Sequence, residues 1–219
     1  MFFKPLVFLS SLSIGCLLPL YDATASQSEY KALSDKFKQR FHSKLKRNKV
    51  PGGAFVIVEG SKILKLSTYG KRSKGGNKNV NSDTVFRLAS VSKTFAGTLA
   101  SMLVEEDKLD WQQPITHYIP EFDLADHQAA KKINLGHIIG HSTGLWPNSY
   151  DNLINANVKI PKIIAKFDEL TPMCQPGICY GYQNVAFSFI QNAIEEQSSQ
   201  TYASLLQQRI FSPLKMASA

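Results

Sequence analysis

The chain has 219 residues, 43% of them hydrophobic and 19% charged, and a formal net charge of +8. That apolar content excludes a disordered polyelectrolyte, and three cysteines are too few for a disulfide scaffold. The length suits one domain of moderate size, and the positive charge has no recognisable nucleic-acid module around it.

Residues 1–25 read as an export signal, with a cation at Lys4, an apolar core from Leu6 to Leu20 and the small-residue site Ala23-Thr24-Ala25 before Ser26. Serines and Pro19 interrupt the apolar run, which is short for a membrane span. Cleavage after Ala25 and periplasmic localisation are expected. Ser13-Ile14-Gly15-Cys16 offers an alternative, a lipoprotein anchored at Cys16, although serine stands where leucine is usual.

Ser26-Gln27-Ser28-Glu29 has capping-box spacing and introduces a predicted helix to about Arg47, ended by Val50-Pro51-Gly52-Gly53. Its cations, with Lys71, Arg72 and Lys74, form a basic face that is either simply solvated or in contact with anionic wall polymers or lipid headgroups rather than DNA. Ala54-Phe55-Val56-Ile57-Val58 and Ile63-Leu64-Lys65-Leu66-Ser67-Thr68-Tyr69, joined by Glu59-Gly60-Ser61-Lys62, predict a β-hairpin. A polar loop from Lys71 to Ser82 follows. Beyond Ser90 the pattern is mostly helical, with turns at Trp111 to Pro120 and at Gly144-Leu145-Trp146-Pro147, and helices expected over Val185–Glu196 and Tyr202–Phe211. Strands are thus confined to the first third. A two-stranded hairpin is too small to stand alone, so the sheet is expected to be incomplete.

Ser90-Val91-Ser92-Lys93 is the feature that carries chemistry. A serine three residues before a lysine on a helix puts hydroxyl and amine on one face, where the amine can take the hydroxyl proton. Ser28-x-x-Lys31, Ser43-x-x-Lys46 and Ser212-x-x-Lys215 share the spacing. The first two lie in a Lys-rich amphipathic stretch, and Ser212 precedes Pro213 as a turn or helix-start serine. After Ser90, however, Phe95, Leu99, Met102 and Leu103 cluster on one side, while Ser90, Lys93 and Gly97 fall opposite.

Such a pair needs a proton relay and a hydrogen-bonding partner for the substrate amide, and Tyr182-x-Asn184 supplies both. Tyr150-Asp151-Asn152 has the same spacing but sits in a polar loop and reads as an exposed turn. In an oxidising compartment Cys174 and Cys179 either close a small loop around Gln175-Pro176-Gly177 or stand as two free buried thiols, and both readings remain open. His137 and His141 have zinc-like spacing without the glutamate of His-Glu-x-x-His, so they read as structural histidines and no metal site is expected.

Phe86-Arg87-Leu88-Ala89-Ser90-Val91-Ser92-Lys93-Thr94, then His141-Ser142-Thr143-Gly144-Leu145, then Pro176-Gly177 with Tyr182-Gln183-Asn184, then Phe211-Ser212-Pro213-Leu214-Lys215-Met216, resemble the serine β-lactamase-related family. The match is nearer to its class C β-lactamase, DD-peptidase and esterase branch, since Tyr-x-Asn replaces Ser-Asp-Asn. The resemblance implies an α/β (α+β) fold, with a helical lobe beside a mixed sheet and the active site between them. It further implies that Ser90 is acylated, that Lys93 and Tyr182 share the proton work, and that Asn184 contacts Lys93 and the substrate amide. Ser90 N–H would form half of an oxyanion hole, where each donor is worth about 3–4 kcal/mol. Substrates would be β-lactams, cell-wall peptides or small esters, with no cofactor.

Two departures stand out. No Lys-Thr-Gly or His-x-Gly follows Asn184, and Lys74-Gly75-Gly76 lies before Ser90 in a loop. Lys215 replaces the family's usual glycine. Residues 26–219 are therefore expected to be a partial domain of this type lacking its C-terminal strands, active only if completed by further sequence or a partner. The alternative is a non-catalytic remnant or a wall-peptide-binding protein.

Overall fold

The computed structural model describes residues 27–219, in two compact units, one ending at Val85 and the other spanning Phe86–Ala219. The leader reading of residues 1–25, the anchor at Cys16 and the Ser26 cap lie outside the described residues.

The first unit is a helix on a hairpin. Helix α1 (Gln27–Arg47) turns Phe37 and Phe41 toward Phe55 of strand β1 (Gly52–Glu59), with ring centroids 4.8 and 5.0 Å apart and edge-to-face geometry. Strand β2 (Lys62–Gly70) pairs antiparallel with β1, Val56 opposite Leu66, and a bulge falls at Ile57/Val58. Period-two alternation sends Phe55 and Ser67 toward α1, where Ser67 meets His42 at 3.0 Å. The opposite face, with Val56, Val58 and Leu66, is exposed. The described sheet has these two strands alone.

The second unit is helical. A 3-10 turn at Ala89–Val91 runs into α2 (Ser92–Glu105), which buries Ala96, Leu99, Ala100 and Leu103. Leu99 and Leu103 follow the expected stripe, but Phe95 and Met102 are only partly buried, the small Ala96 and Ala100 taking the tight contacts. Short helices follow: α3 (Ile115–Tyr118), α4 (His127–Ala130), α5 (Leu135–Ile139), α6 (Asp151–Asn155) and α7 (Ile160–Ile164). Helix α8 (Val185–Ser198) packs against α2, α3 and α5. Its buried residues recur as pairs one turn apart, Val185-Ala186, Phe189-Ile190 and Ala193-Ile194, with Phe187 beside the first pair, the wide apolar stripe of a helix covered on several sides. Phe122, Phe167 and Phe189 form a ring cluster with centroids 5.4–5.7 Å apart. The last expected helix divides into α9 (Tyr202–Leu206) and a π-helical turn at Gln207–Phe211.

Candidate functional site

Ser90, Lys93, Tyr182 and Asn184 come together within the helical unit. Ser90 sits in the 3-10 turn and Lys93 in the first turn of α2, whereas Asn184 immediately precedes α8. Tyr182 Oη donates to Ser90 Oγ at 2.8 Å, and Lys93 Nζ donates to Asn184 Oδ1 at 2.7 Å. The Lys93 ammonium also lies 4.9 Å from the Tyr182 ring centroid and 5.1 Å from that of Phe187. The Lys93 cation and the Ser90 hydroxyl hold the Tyr182 phenol below its ordinary pKa. With the phenol ionised to phenolate beside the ammonium, this group can take the serine proton as the hydroxyl attacks a carbonyl.

The loop carrying Tyr182 is strapped to the loop after α5. Gly177 N–H donates to Ser142 O at 2.7 Å, Met173 N–H to Gly144 O at 2.8 Å, Gly181 N–H to His141 O at 2.8 Å, and Asn148 N–H to Tyr182 O at 2.7 Å. The two loops run so close that a Cβ on Gly144, at φ +82°, would fall 2.3 Å from Cys174 O, and one on Gly181 2.3 Å from Leu145 O. Cys174 and Cys179 are joined by a disulfide across this loop, with Cα atoms 6.3 Å apart.

His141 is more than a helix-end residue. Its ring is buried, 4.5 Å from that of Tyr182 and 5.3 Å from that of Phe187. Burial, and secondarily the Lys93 charge, push its pKa down, and Nδ1 accepts from Gln183 N–H at 3.2 Å, which leaves the ring proton on Nε2. A neutral imidazole thus backs the phenol. His137 instead closes a capping box with Asn134 at the start of α5. Among the described residues no group of three or more His, Cys, Asp or Glu is arranged to hold a metal ion.

Tyr150 does lie in a turn, as its polar neighbours suggest, but its side chain is not fully exposed. It is partly buried, its ring centroid 5.5 Å from that of Phe167, and its Oη donates to Lys166 O at 2.6 Å. The next residue, Asp151, accepts from Asn184 Nδ2 at 2.6 Å, a contact that sequence reading missed. Ala89, His141 and Tyr150 hold φ of +49°, +54° and +63°. Left-handed non-glycine backbone costs about 1–3 kcal/mol per residue and clusters where surrounding structure must aim side chains. Of the nine described non-glycine residues with positive φ, these three adjoin or belong to the group around Ser90.

Two open grooves flank Lys93. One, of about 230 Å³, is lined by Ser92, Ala96, Asn184, Phe187 and Tyr202, and the other, of about 340 Å³, by Thr94, Gly97, Trp111, Ile139 and His141.

A family model described as Beta-lactamase matches residues 37–219. The chain is 22% identical over 178 residues to penicillin-binding protein 4 of Amycolatopsis lactamdurans, a stretch covering 81% of this chain and 46% of that protein. A solved class C beta-lactamase superposes with TM-score 0.71 at 22% identity, covering 89% of this chain and 51% of its own. The D-alanine carboxypeptidase AmpC from Burkholderia cenocepacia does so with TM-score 0.65 at 28% identity, covering 83% and 48%. The chain thus spans about half the length of the relatives it matches, and shares their mixed α/β fold.

Proposed function

Because this chain belongs to the beta-lactamase family, we propose that it is a serine acyl-hydrolase of the β-lactamase and penicillin-binding type, in which Ser90 forms the acyl-enzyme. The observation that supports this reading above all others is the 2.8 Å contact between Ser90 Oγ and Tyr182 Oη, beside a lysine tied to Asn184.

Ser90 Oγ attacks the carbonyl carbon of a β-lactam, acyl-peptide or ester, and its proton passes to Tyr182 Oη in its phenolate form, held beside the Lys93 ammonium. Collapse of the tetrahedral species breaks the bond to the amine or alcohol leaving group, which takes that proton. Water then attacks the ester at Ser90, returning the serine hydroxyl and releasing the acid. Ser90 N–H serves as one oxyanion donor, and the free hydrogen of the Asn184 amide meets the substrate amide. The protein's substrates are small-molecule or peptidoglycan-derived compounds, as the family membership suggests. With residues 1–25 as a cleaved leader and residues 26–219 as a partial domain of the family, the protein works in the periplasm.

The test is covalent labelling with a fluorescent penicillin and with a fluorophosphonate. We expect a labelled band that disappears in Ser90→Ala and in Lys93→Ala, and persists in Lys46→Ala and Lys215→Ala. Labelling unchanged by Ser90→Ala overturns the assignment. A protein that melts cooperatively yet takes no label supports a wall-peptide-binding role instead.

A further inference from the structure

We propose that Asp151 is a positioning residue that fixes which way the Asn184 amide faces, holding its carbonyl oxygen toward Lys93. The inference rests on the acyl-transfer reading of Ser90 and deepens it. Lys93 is a donor only, a carboxylate is an acceptor only, and an amide presents one group of each kind. With Lys93 Nζ on Asn184 Oδ1 at 2.7 Å and Asn184 Nδ2 on Asp151 Oδ2 at 2.6 Å, one orientation satisfies both neighbours. The flipped amide would set NH2 against an ammonium and C=O against a carboxylate, two repulsions in place of two charge-assisted bonds.

The placement of Asp151 is costly in ways a spectator would not be. Its second oxygen, Oδ1, is closed off from solvent with no hydrogen-bond partner among the described residues, a cost that buried carboxylates ordinarily avoid. It follows directly on Tyr150, whose left-handed backbone is held by the bond to Lys166 O and by the Phe167 ring. Asp151 therefore enters α6 at a set position, 33 residues before its partner. Its negative charge also opposes that of Lys93 at the Tyr182 phenol, where His141 is the other titratable neighbour.

The experiment compares the full chain with Asp151→Asn, Asp151→Ala, Asn184→Ala and the double alanine variant. It reads the rate of penicillin labelling and the side-chain amide signal of Asn184 in nitrogen-15 NMR. Losing a charge-assisted hydrogen bond is expected to slow labelling about 10–100-fold in Asp151→Ala, and by less than about twofold further in the Asn184→Ala background. The Asn184 signal should shift and broaden in both Asp151 variants. In Asp151→Asn the rise of rate with pH should move to lower pH, because the phenol loses a neighbouring negative charge. A merely structural role would slow labelling equally in both backgrounds and leave that pH midpoint in place, and would overturn the proposal. So would wild-type rates with an unmoved Asn184 signal. If the wild type takes no label, the acyl-transfer reading fails by itself, and the Asn184 signal alone decides the inference. Asp151→Asn, of the same shape, stands in if the alanine variant does not fold.

Discussion

In the proposed mechanism Tyr182 accepts a proton from a serine and returns it, and its surroundings bear on both halves of the task. The Lys93 ammonium and the Ser90 hydroxyl lower its pKa, while the neutral His141 ring behind it adds no charge. An acid whose pKa is lowered reaches its basic form at lower pH. The rate of acylation should accordingly rise with pH and level off below the ordinary tyrosine value of about 10. Tyr182→Phe should lose that rise and slow acylation about 10²–10⁴-fold, the usual worth of positioned acid–base catalysis, as measured by labelling rate across a pH series. At this scale Ser90, Lys93, Tyr182 and Asn184 could be singled out because each lies in a short motif, and the structure brings them into contact. Asp151 was not, since its meaning arises only when Asn184 arrives beside it.

Among elements, the pair of strapped loops matters most, because Tyr182 has no regular secondary structure of its own to hold it. Gly144 must take φ +82° with Cys174 O pressed against it. Gly144→Ala should therefore destabilise the helical unit by about 1–3 kcal/mol and reduce labelling beyond what the stability loss explains, checked by thermal melts beside labelling rates. The hairpin and the helices at α1, α2 and α8 were readable from period-two and 3.6-residue patterning. The division of Tyr202–Phe211 into a helix and a π-helical turn was not, because apolar spacing in ten residues does not distinguish an i−4 from an i−5 hydrogen bond. The partial burial of Tyr150 escaped the local pattern for a related reason. Its neighbours are polar, but its ring finds Phe167 across the unit.

For the whole molecule, the helical unit rests on one apolar core in which Phe189 of α8 touches both Phe122 and Phe167. Since α8 begins beside Asn184, the core and the site share a support. Phe189→Ala should cost about 3–5 kcal/mol by cavity formation, with labelling falling in step with the folded fraction in a denaturant series. The family match covers residues 37–219, and the chain spans about half the length of its relatives.

What the sequence determined unaided is what nearest neighbours along the chain control: the hairpin, the amphipathic faces of α2 and α8, and the spacing of Ser90 to Lys93 and of Tyr182 to Asn184. Four serines share the Ser-x-x-Lys spelling, and only tertiary packing decides which one meets a phenol. That meeting joins residues 92 positions apart, and the lysine contact joins residues 91 apart. Local propensity acts over a few residues. Contacts at such separations exist because an apolar core draws α2 and α8 together, and the polar groups at their ends are carried into reach.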